Sequence, residues 1–306
     1  MQIIDGSAAE NALILGQEKK PDISILTSPA FLFVVAGRIR YGFSRQEGGL
    51  CSIQVDGKEY FDGLLEPSFY RAASNIDRAD KSYVLSQTVF SHETDWRTIQ
   101  SDMRFIGSFY EMDGDAFNMI TKYASSGMKG PLYVRYRVRA DGTLTATLSF
   151  VPKFDLVRYG FRVPIDNSVH LGWYGRGEGE SYSDRKESSR IGWYTSLHST
   201  LYHEYARPSE TGAHADTKYV LLQHDDAQGI GITKNTSDGF SFSCLPFMPD
   251  DLDDCAHPEL LKSDGRTHLY LDFYMKGIER SPDVLARRGS QKNSRYEETI
   301  KFAPKY

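Results

Sequence analysis

Asp-Gly dipeptides set between runs of alternating apolar and polar residues limit most strongly how this chain can fold. Seven of them begin at positions 5, 56, 62, 113, 141, 238 and 264. Asp-Gly is favoured in the two-residue turns that close β-hairpins, because glycine adopts positive φ without steric cost. Helical periodicity is nearly absent from the sequence. We therefore expect an all-β protein that is built from antiparallel hairpins.

The clearest predicted hairpin spans residues 132–150. Apolar residues alternate with Arg and Thr on either side of Asp141-Gly142, so one face is apolar and the other is polar. Similar alternation predicts strands over 54–60, 238–245 and 267–275, with a last strand around 299–302. The polar face of the strand over 267–275 is interpreted either as a carbohydrate contact or as the face of an edge strand; it carries His268, Tyr270, Asp272 and Tyr274.

A single short helix is predicted from Pro249 to Ala256. Its first turn contains proline, and four aspartates lie near the positive end of the helix dipole. We interpret these acids as compensation of the dipole rather than as a cation site, because the spacing and the glycine of a calcium loop are missing. Residues 1–25 are predicted to be an N-terminal arm or linker, and residues 26–306 to form one β-domain.

The composition excludes several classes of function. The chain has 306 residues, a net charge of -5 and interspersed acids and bases, so it offers no basic face for nucleic acid or anionic lipid. The longest apolar run, Ala30 to Ala36, is too short to cross a bilayer, and the N-terminus lacks a signal-peptide pattern. The three cysteines lack the spacing of a zinc site. We expect a cytoplasmic protein without a metal site or membrane contact.

The segment Trp173–Arg185 combines aromatic, glycine, arginine and acidic residues within thirteen positions. Aromatic rings offer faces for sugar C–H groups, while Arg and Asp supply directed hydrogen bonds. Glycines at 175, 177 and 179 would let the backbone approach a ligand, or turn where a Cβ would clash. An alternative is a turn that is held by its own Arg–Asp pairs. The segment predicts these carbohydrate-binding residues: Tyr174, Arg176, Glu180, Tyr182, Asp184 and Arg185. We expect Asp184 to orient one of the two arginines.

Four further segments, at 48–59, 69–78, 202–212 and 240–259, accompany this one. Their order and spacing resemble the C-terminal domain of family 2 β-galactosidases, which some bacteria make as a separate small chain. The resemblance covers roughly residues 40 to 278. It implies an antiparallel β-supersandwich of the galactose-mutarotase-like type, with a cleft on its concave side.

The resemblance also implies a division of labour. Hydrolysis in that family retains the anomeric configuration and uses two glutamates, roughly 5 Å apart, on a separate (β/α)8 barrel. This sequence has neither the helices nor the length for such a barrel. The chain would therefore complete the substrate cleft of a large catalytic galactosidase chain, or self-associate. It would carry no catalytic carboxylate pair and no cofactor, and any Mg or Na would belong to the partner chain.

The family loop that moves near the active site corresponds to residues 75–79, which adds Asn75, Asp77 and Arg78 to the predicted sugar contacts. Here Ala79 replaces a glycine of the family pattern, and one acid of the loop is missing. The family's tryptophan segment after Ile278 is replaced by residues 279–283, so that aromatic floor is absent.

The densest group of titratable residues in the sequence lies between positions 203 and 214. It contains His203, Glu204, Arg207, Glu210 and His214. We count Arg207, Glu210 and His214 among the predicted carbohydrate-binding residues. A sugar epimerase (mutarotase) would use such a His and carboxylate for acid–base chemistry, which makes an aldose 1-epimerase one alternative function. A stand-alone carbohydrate-binding or scaffolding protein is the other.

Overall fold

The computed structural model describes residues 23–78, 90–225, 228–278 and 291–305. Nineteen strands form three sheets, and the described strand pairs are all antiparallel. The largest sheet has the order β13 (Arg190–Leu197), β12 (His170–Gly177), β15 (Tyr219–Gln223), β16 (Gly229–Lys234), β19 (Tyr296–Lys305), β10 (Leu144–Phe150), β9 (Leu132–Val138), β8 (Ala116–Ala124) and β7 (Arg104–Asp113).

Two five-stranded sheets complete the fold. The first has the order β1 (Ile23–Thr27), β2 (Phe31–Ala36), β3 (Ile39–Ser44), β4 (Gly49–Val55) and β5 (Lys58–Glu59). The second has the order β14 (His214–Thr217), β17 (Phe240–Leu245), β18 (Thr267–Met275), β11 (Arg158–Ile165) and β6 (Glu66–Ser68). The helices are α1 (Phe90–Ser101) and α2 (Pro249–Asp254), with 3-10 turns at His198–Thr200 and Pro258–Leu260.

Both small sheets pack against one face of the nine-stranded sheet, which gives a two-layer supersandwich. The ring centroid of Phe43 on β3 lies 5.6 Å from Phe117 on β8 and 5.3 Å from Tyr136 on β9. Trp173 on β12 approaches Phe242 on β17 to 5.5 Å. All three sheets contribute buried side chains to one large core, and Met275 of β18 lies in a smaller cluster with Tyr182, Ala213 and Ile278. The predicted all-β supersandwich is confirmed.

The alternation of apolar and polar residues accounts for the hairpins. Every second residue of β9 and β10 is buried, and the register places Leu144 opposite Val138 across the Asp141-Gly142 turn. Gly142 has φ 77°, a conformation that only glycine adopts without strain. The hairpin of β4 and β5 closes in the same way at Asp56-Gly57. These hairpins were predicted from sequence and are confirmed.

Two sequence expectations about helices need correction. The prediction of one short helix is wrong, because the twelve-residue α1 precedes β7. Its sequence is mostly polar, and its anchors in the described side chains are Ile99, which is buried, and Trp96, which packs against the core. The predicted helix at Pro249 ends at Asp254 rather than at Ala256, because Cys255 adopts an extended conformation. None of the described helices is long and apolar enough to span a membrane.

The polar face that was predicted on β18 is not a surface. His268, Tyr270 and Asp272 are buried, whereas Tyr274 is partly exposed. Glu210 lies 3.7 Å from Arg158, the ion-pair partner of Asp272, and Met248 contacts Tyr270, so loops cover this side of the second five-stranded sheet. Of the predicted arm, residues 1–22 lie outside the described residues, and Ile23 begins β1. The departures at Ala79 and at 279–283 also lie outside the described residues.

Candidate functional site

The turn of residues 72–78 meets the end of β18 at a polar site, which we call the Asp77 site; it consists of Asp77, Asp184, Lys276 and Gly277, with Arg71 beneath them. Arg71 Nη2 lies 2.9 Å from Asp77 Oδ2, and Lys276 Nζ lies 3.5 Å from Asp77 Oδ1. The Arg71 side chain is buried, whereas Asp77 and Lys276 are partly exposed. One carboxylate thus joins a buried cation to a cation at the surface.

Local sequence explains the shape of this turn. Ser74 and Asp77 form a reciprocal cap, in which the Ser74 N–H donates to Asp77 Oδ2 at 2.9 Å and the Asp77 N–H donates to Ser74 Oγ at 3.0 Å. Residues 75–78 are helical as a result. Burial alone would raise the pKa of Asp77, but the charges of Arg71 and Lys276 outweigh it and lower the pKa to about 2. Asp77 is therefore ionised at neutral pH.

Asp184 closes the site from the loop after β12. Its Oδ1 accepts the Ile278 N–H at 3.2 Å, which fixes the chain just beyond Gly277. A Cβ at Gly277 would lie 2.0 Å from the Asp184 carboxyl group, so glycine is needed here for close approach. The turn of residues 72–78 is tied to the same segment, because Ser74 Oγ donates to the Ile278 carbonyl at 3.2 Å.

A buried layer of charges supports the site from below. Arg158 Nε lies 2.9 Å from Asp272 Oδ1, and Arg158 Nη2 lies 3.7 Å from Glu210 Oε1, with these side chains at most 1% exposed. The first contact is close enough for an ion pair but lacks hydrogen-bond geometry, so both Asp272 oxygens have no hydrogen-bond donor among the described residues. Burial raises the pKa of Glu210 to about 7 and that of Asp272 to about 6, although the arginines oppose the shift.

Glu180 fastens the loop of residues 179–185 to the loop of residues 205–212. It accepts hydrogen bonds from the Gly212 N–H at 2.8 Å and from Tyr182 Oη at 3.4 Å, and it also binds Arg185 and Tyr205. Burial raises the pKa of Tyr182 well above its ordinary value, so its hydroxyl stays protonated. Glu180 and Tyr182 were both predicted to contact sugar. In the structure their polar groups form hydrogen bonds within the protein.

Arg176 is held in the same way. Its Nε donates to Asp216 Oδ2 at 2.7 Å, and its Nη1 donates to the carbonyls of Lys186 and Ser189 at 2.8 and 2.7 Å. The carboxylates that pair with the two arginines of this segment are thus Asp216 and Glu180, where Asp184 was expected to orient one of them. The pair of Arg185 with Glu180 fits the alternative of a turn held by its own ion pairs, whereas the partner of Arg176 lies outside the segment.

Two glycines of the segment also serve packing. A Cβ at Gly175 would lie 2.7 Å from Thr217 Oγ1, and one at Gly177 would lie 2.7 Å from the ring of Tyr194. Nothing lies within 4 Å of the corresponding position at Gly179. Gly175 and Gly177 therefore match the second of the two expectations, a position where a Cβ would clash, whereas Gly179 has open space beside it.

The remaining predicted residues are scattered. His214 is buried against Trp173, and burial lowers its pKa to about 4, so it is neutral. Arg78 pairs with Asp253 of α2 at 2.8 Å, which ties the turn to that helix. Asn75 and Arg207 are exposed, and the Tyr174 side chain lies on the outer face of the nine-stranded sheet, away from the core.

The acids of α2 are explained by the protein itself. Asp250 and Asp254 pair with Arg97, and Asp251 Oδ2 accepts the Met248 N–H at 3.0 Å. No group of three or more metal-ligating side chains occurs within the described ranges. A cavity of about 260 Å³ is lined by Ser183 and Met275 among others, but by none of the residues of the Asp77 site.

Sequence reasoning selected Asp77, Asp184 and Glu210, and it named Asp272 on the polar face of β18. It missed three residues that the structure brings beside them, which are Arg71, Arg158 and Lys276. Arg71 stands in a segment that carries the family resemblance, so that signal was present. Arg158 and Asp272 lie on paired strands, and no sequence pattern marks them as partners of Glu210.

Comparison with known proteins identifies the family. A family model described as the β-galactosidase small chain matches residues 36–286. The chain belongs to the β-galactosidase small chain family. The β-galactosidase small subunit of Latilactobacillus sakei is 24% identical over 272 residues, which cover 78% of this chain and 83% of that subunit.

Longer relatives match as well. The β-galactosidase of Actinobacillus pleuropneumoniae is 23% identical over 258 residues, covering 79% of this chain and 23% of that enzyme. The β-galactosidase of Lactobacillus delbrueckii subsp. bulgaricus is 26% identical over 246 residues, covering 78% of this chain and 23% of that enzyme. This member of the small chain family thus spans less than a quarter of the length of these two enzymes.

A solved structure, the galactose 1-epimerase of Lactobacillus acidophilus NCFM, matches with a TM-score of 0.50 and 7% identity, covering 93% of this chain and 99% of that chain. At this identity the likeness concerns the fold alone, which is galactose-mutarotase-like. His203 and Glu204 are exposed, whereas His214 is buried in the core and Glu210 in the charged layer, so these residues do not form one acid–base centre.

Proposed function

We propose that this chain is the non-catalytic part of a retaining β-galactosidase, as a small chain or C-terminal domain, and that it completes the galactoside cleft of a large catalytic chain. The observation that carries the proposal is the pattern of matches. The same region corresponds to 83% of a separate small subunit and to only 23% of long β-galactosidases. The remaining part of those enzymes has room for a catalytic barrel, which the described strands and helices do not contain.

The Asp77 site is the part of the chain that we assign to the cleft. It combines a fixed anion, a partly exposed ammonium group and backbone groups that are held by short contacts. Such groups donate to and accept from sugar hydroxyls. The buried layer beneath keeps them in place, which preorganises the site for a neutral polyhydroxylated ligand. The role of this site is binding and positioning, and the glutamate pair would come from the large chain.

The β7 edge suits contact with that large chain. Among the described strands this ten-residue strand pairs with β8 alone, and its exposed apolar side chains are Ile106, Phe109, Tyr110 and Met112, each 45–54% exposed. Exposed apolar edge strands are sites of protein association. We place the complex in the cytoplasm, a compartment that is compatible with three cysteines in the thiol form. Any Mg or Na would bind in the large chain.

The test is reconstitution. The chain is expressed alone and together with a large galactosidase chain that contains the barrel, and hydrolysis of a nitrophenyl galactoside is measured. We expect no hydrolysis by either chain alone and full activity of the purified complex. Hydrolysis by this chain alone would overturn the proposal. Failure to bind any large chain would favour a stand-alone carbohydrate-binding or scaffolding protein.

A variant then tests the site within the complex. Lys276→Met removes the exposed ammonium group, and we expect kcat/KM of the complex to fall about tenfold or more, the loss of one charged hydrogen bond. The control is Lys129→Met, which removes an exposed lysine from the segment before β9. Equal kinetics for both variants would remove the Asp77 site from the cleft.

A further inference from the structure

A groove opens on the outer face of the nine-stranded sheet, where β12, β13 and β15 lie side by side. Its volume is about 410 Å³, within the ~300–1,000 Å³ range of small-molecule sites. Gly172 and Leu221 line its floor, and Trp193, Thr195, His170 and Gln223 line its walls. Register explains this set, because Gly172 pairs with both Thr195 and Leu221, and His170 pairs with Gln223. The groove needs no partner chain to be complete.

Trp193 differs from the two other tryptophans of the chain. Trp96 donates its indole N–H to the Asp155 carbonyl at 2.8 Å, and Trp173 donates to the Arg176 carbonyl at 3.0 Å. The Trp193 indole N–H has no acceptor among the residues that the structure describes, and its side chain is 67% exposed. The fold therefore does not use this ring as it uses the other two.

Neighbouring rings hold the Trp193 ring in position. Tyr174 lies opposite Trp193 in the β12–β13 register, with ring centroids 5.3 Å apart, and Tyr219 approaches Trp193 to 5.6 Å. Aromatic pairs at such distances attract each other beyond the effect of the area that they bury. The Trp193 face is thus ordered before any ligand arrives, which lowers the entropic cost of binding.

The floor of the groove is open because position 172 has no side chain. A Cβ at Gly172 would lie 3.7 Å from Leu221 Cβ and from Thr195 Cγ2, which is ordinary van der Waals contact. Packing therefore does not require glycine here, in contrast to Gly175 and Gly177. The effect of Gly172 is to leave a hollow in the sheet surface beside an exposed indole.

Polar groups lie at the end of the groove away from Trp193. The Thr195 hydroxyl and the Gln223 amide have no hydrogen-bond partner within the described part of the chain, and His170 Nε2 lies 2.8 Å from Asp225 Oδ1. The groove thus offers a flat aromatic face at one end and neutral donors and acceptors at the other. A pyranose has the matching form, with a C–H face and an edge of hydroxyl groups.

We propose that this groove binds a neutral pyranose sugar at a site that is separate from the Asp77 site. A large protein surface is a poorer match, because a hollow of this size with polar groups at one end fits one or two sugar rings. Binding requires only the isolated chain. A failure of the site is therefore distinguishable from a failure of the proposed function, which requires the large chain.

The test uses the full chain alone, titrated with galactose, lactose and glucose in a calorimeter and followed by saturation-transfer NMR. We expect saturable binding of at least one sugar. Trp193→Ala should weaken it about tenfold or abolish it, since one stacked ring contributes on the order of 1.4 kcal/mol, a factor of ten. Gly172→Val, which fills the floor, should weaken it to a similar extent, whereas Trp193→Phe should retain most of it.

Two controls isolate the groove. Lys129→Met and Leu260→Ala change exposed residues away from the groove, and both should bind sugar as the unaltered chain does. Circular dichroism and the melting temperature verify that each variant is folded. Absence of saturable binding of all three sugars, unchanged affinity in both Trp193→Ala and Gly172→Val, or loss of binding in either control variant would each overturn the proposal.

Discussion

Lys276 Nζ lies 3.5 Å from Asp77 Oδ1, although 199 positions separate the two residues in the sequence. The contact joins the turn of residues 72–78 to the end of β18. The same Asp77 carboxylate contacts Arg71 from the buried side. The geometry of the Asp77 site therefore depends on a carboxylate shared between two cations.

Replacing Asp77 should destabilise the chain. In Asp77→Asn the Arg71 guanidinium stays buried without its anion, and we expect a loss of about 2 kcal/mol in the free energy of unfolding at pH 7. Because the native pKa of about 2 lies below the ordinary value of 3.8, the stabilisation is present at neutral pH and is lost as the pH falls through 3.8 towards 2. Urea titrations at pH 7 and pH 3 measure this difference.

Asp56→Asn is the matched control, because it removes a surface carboxylate that pairs with Arg38 at a turn where Asn is also tolerated. We expect a change below about 0.5 kcal/mol in that variant. An Asp77→Asn chain as stable as Asp56→Asn at pH 7 would contradict the structural role of the shared carboxylate.

Glu210 should make the chain less stable as the pH rises. Its carboxyl group has a pKa of about 7 in the native state against an ordinary value of 4.5, so between these values the native state holds more protons than the unfolded state. Stability from this group therefore falls with increasing pH across that window. Relative to wild type, Glu210→Gln should gain on the order of 3 kcal/mol between pH 4.5 and pH 8.

The free energy of unfolding must be compared between Glu210→Gln and wild type at each pH, because the His214 contribution changes with pH in the opposite direction. Its native pKa of about 4 lies below 6.5, so its contribution rises with pH over that range. Glu259→Gln, at an exposed position, serves as the control. A Glu210→Gln curve parallel to that of wild type would show that Glu210 ionises normally in the folded chain.

A methyl group at position 277 should disturb the Asp77 site without unfolding the chain. Gly277→Ala forces the Asp184 carboxyl group away, which weakens its bond to the Ile278 N–H. We expect a stability change below about 1 kcal/mol, because the carboxylate is the flexible end of its side chain. The kcat/KM of the reconstituted complex should fall about tenfold.

Gly179→Ala is the control for this substitution, since nothing lies within 4 Å of the added Cβ. It should leave the free energy of unfolding essentially unchanged and the kcat/KM of the complex within about twofold of wild type. The measurement is kcat/KM of the reconstituted complexes of Gly277→Ala and Gly179→Ala, determined side by side. Normal activity of Gly277→Ala would mean that Asp184 does not act in the cleft.

The β7 edge should determine assembly with the large chain. Phe109→Lys and Met112→Lys place charges on an exposed apolar strand, and we expect each to weaken the complex at least tenfold because apolar contact area is lost and a charge is desolvated. Leu260→Lys, which charges another exposed apolar residue on a 3-10 turn, should have no effect. Analytical ultracentrifugation measures all three. Unimpaired assembly of the β7 variants would assign the interface to another surface.

Hairpins were predictable because their information is local. The alternation around Asp141-Gly142 and the positive φ of glycine specify β9, β10 and their register without help from the rest of the chain. Helix α1 was missed because it lacks an apolar stripe and is held by contacts such as that of Trp96 with the Asp155 carbonyl. Such a helix owes its stability to tertiary packing rather than to its sequence pattern.

The Asp77 site was predictable only in part, for a related reason. The segments that carry Asp77 and Glu210 could be picked out by resemblance, whereas the burial of Arg158 and Asp272 arises when loops cover the second five-stranded sheet. The alternation of apolar and polar residues alone predicts that the polar face of β18 is exposed. A polar face that loops cover and a polar face that is exposed to solvent have the same sequence pattern.

The contrast among the three tryptophans gives the molecule an intrinsic optical reporter. Trp96 and Trp173 are anchored through their indole N–H groups, whereas the Trp193 ring stands in water on one face of the sheet. A soluble collisional quencher should reach that ring first, and emission at the red edge of the spectrum should come mainly from it. Events on this face can therefore be followed by fluorescence without attaching a dye.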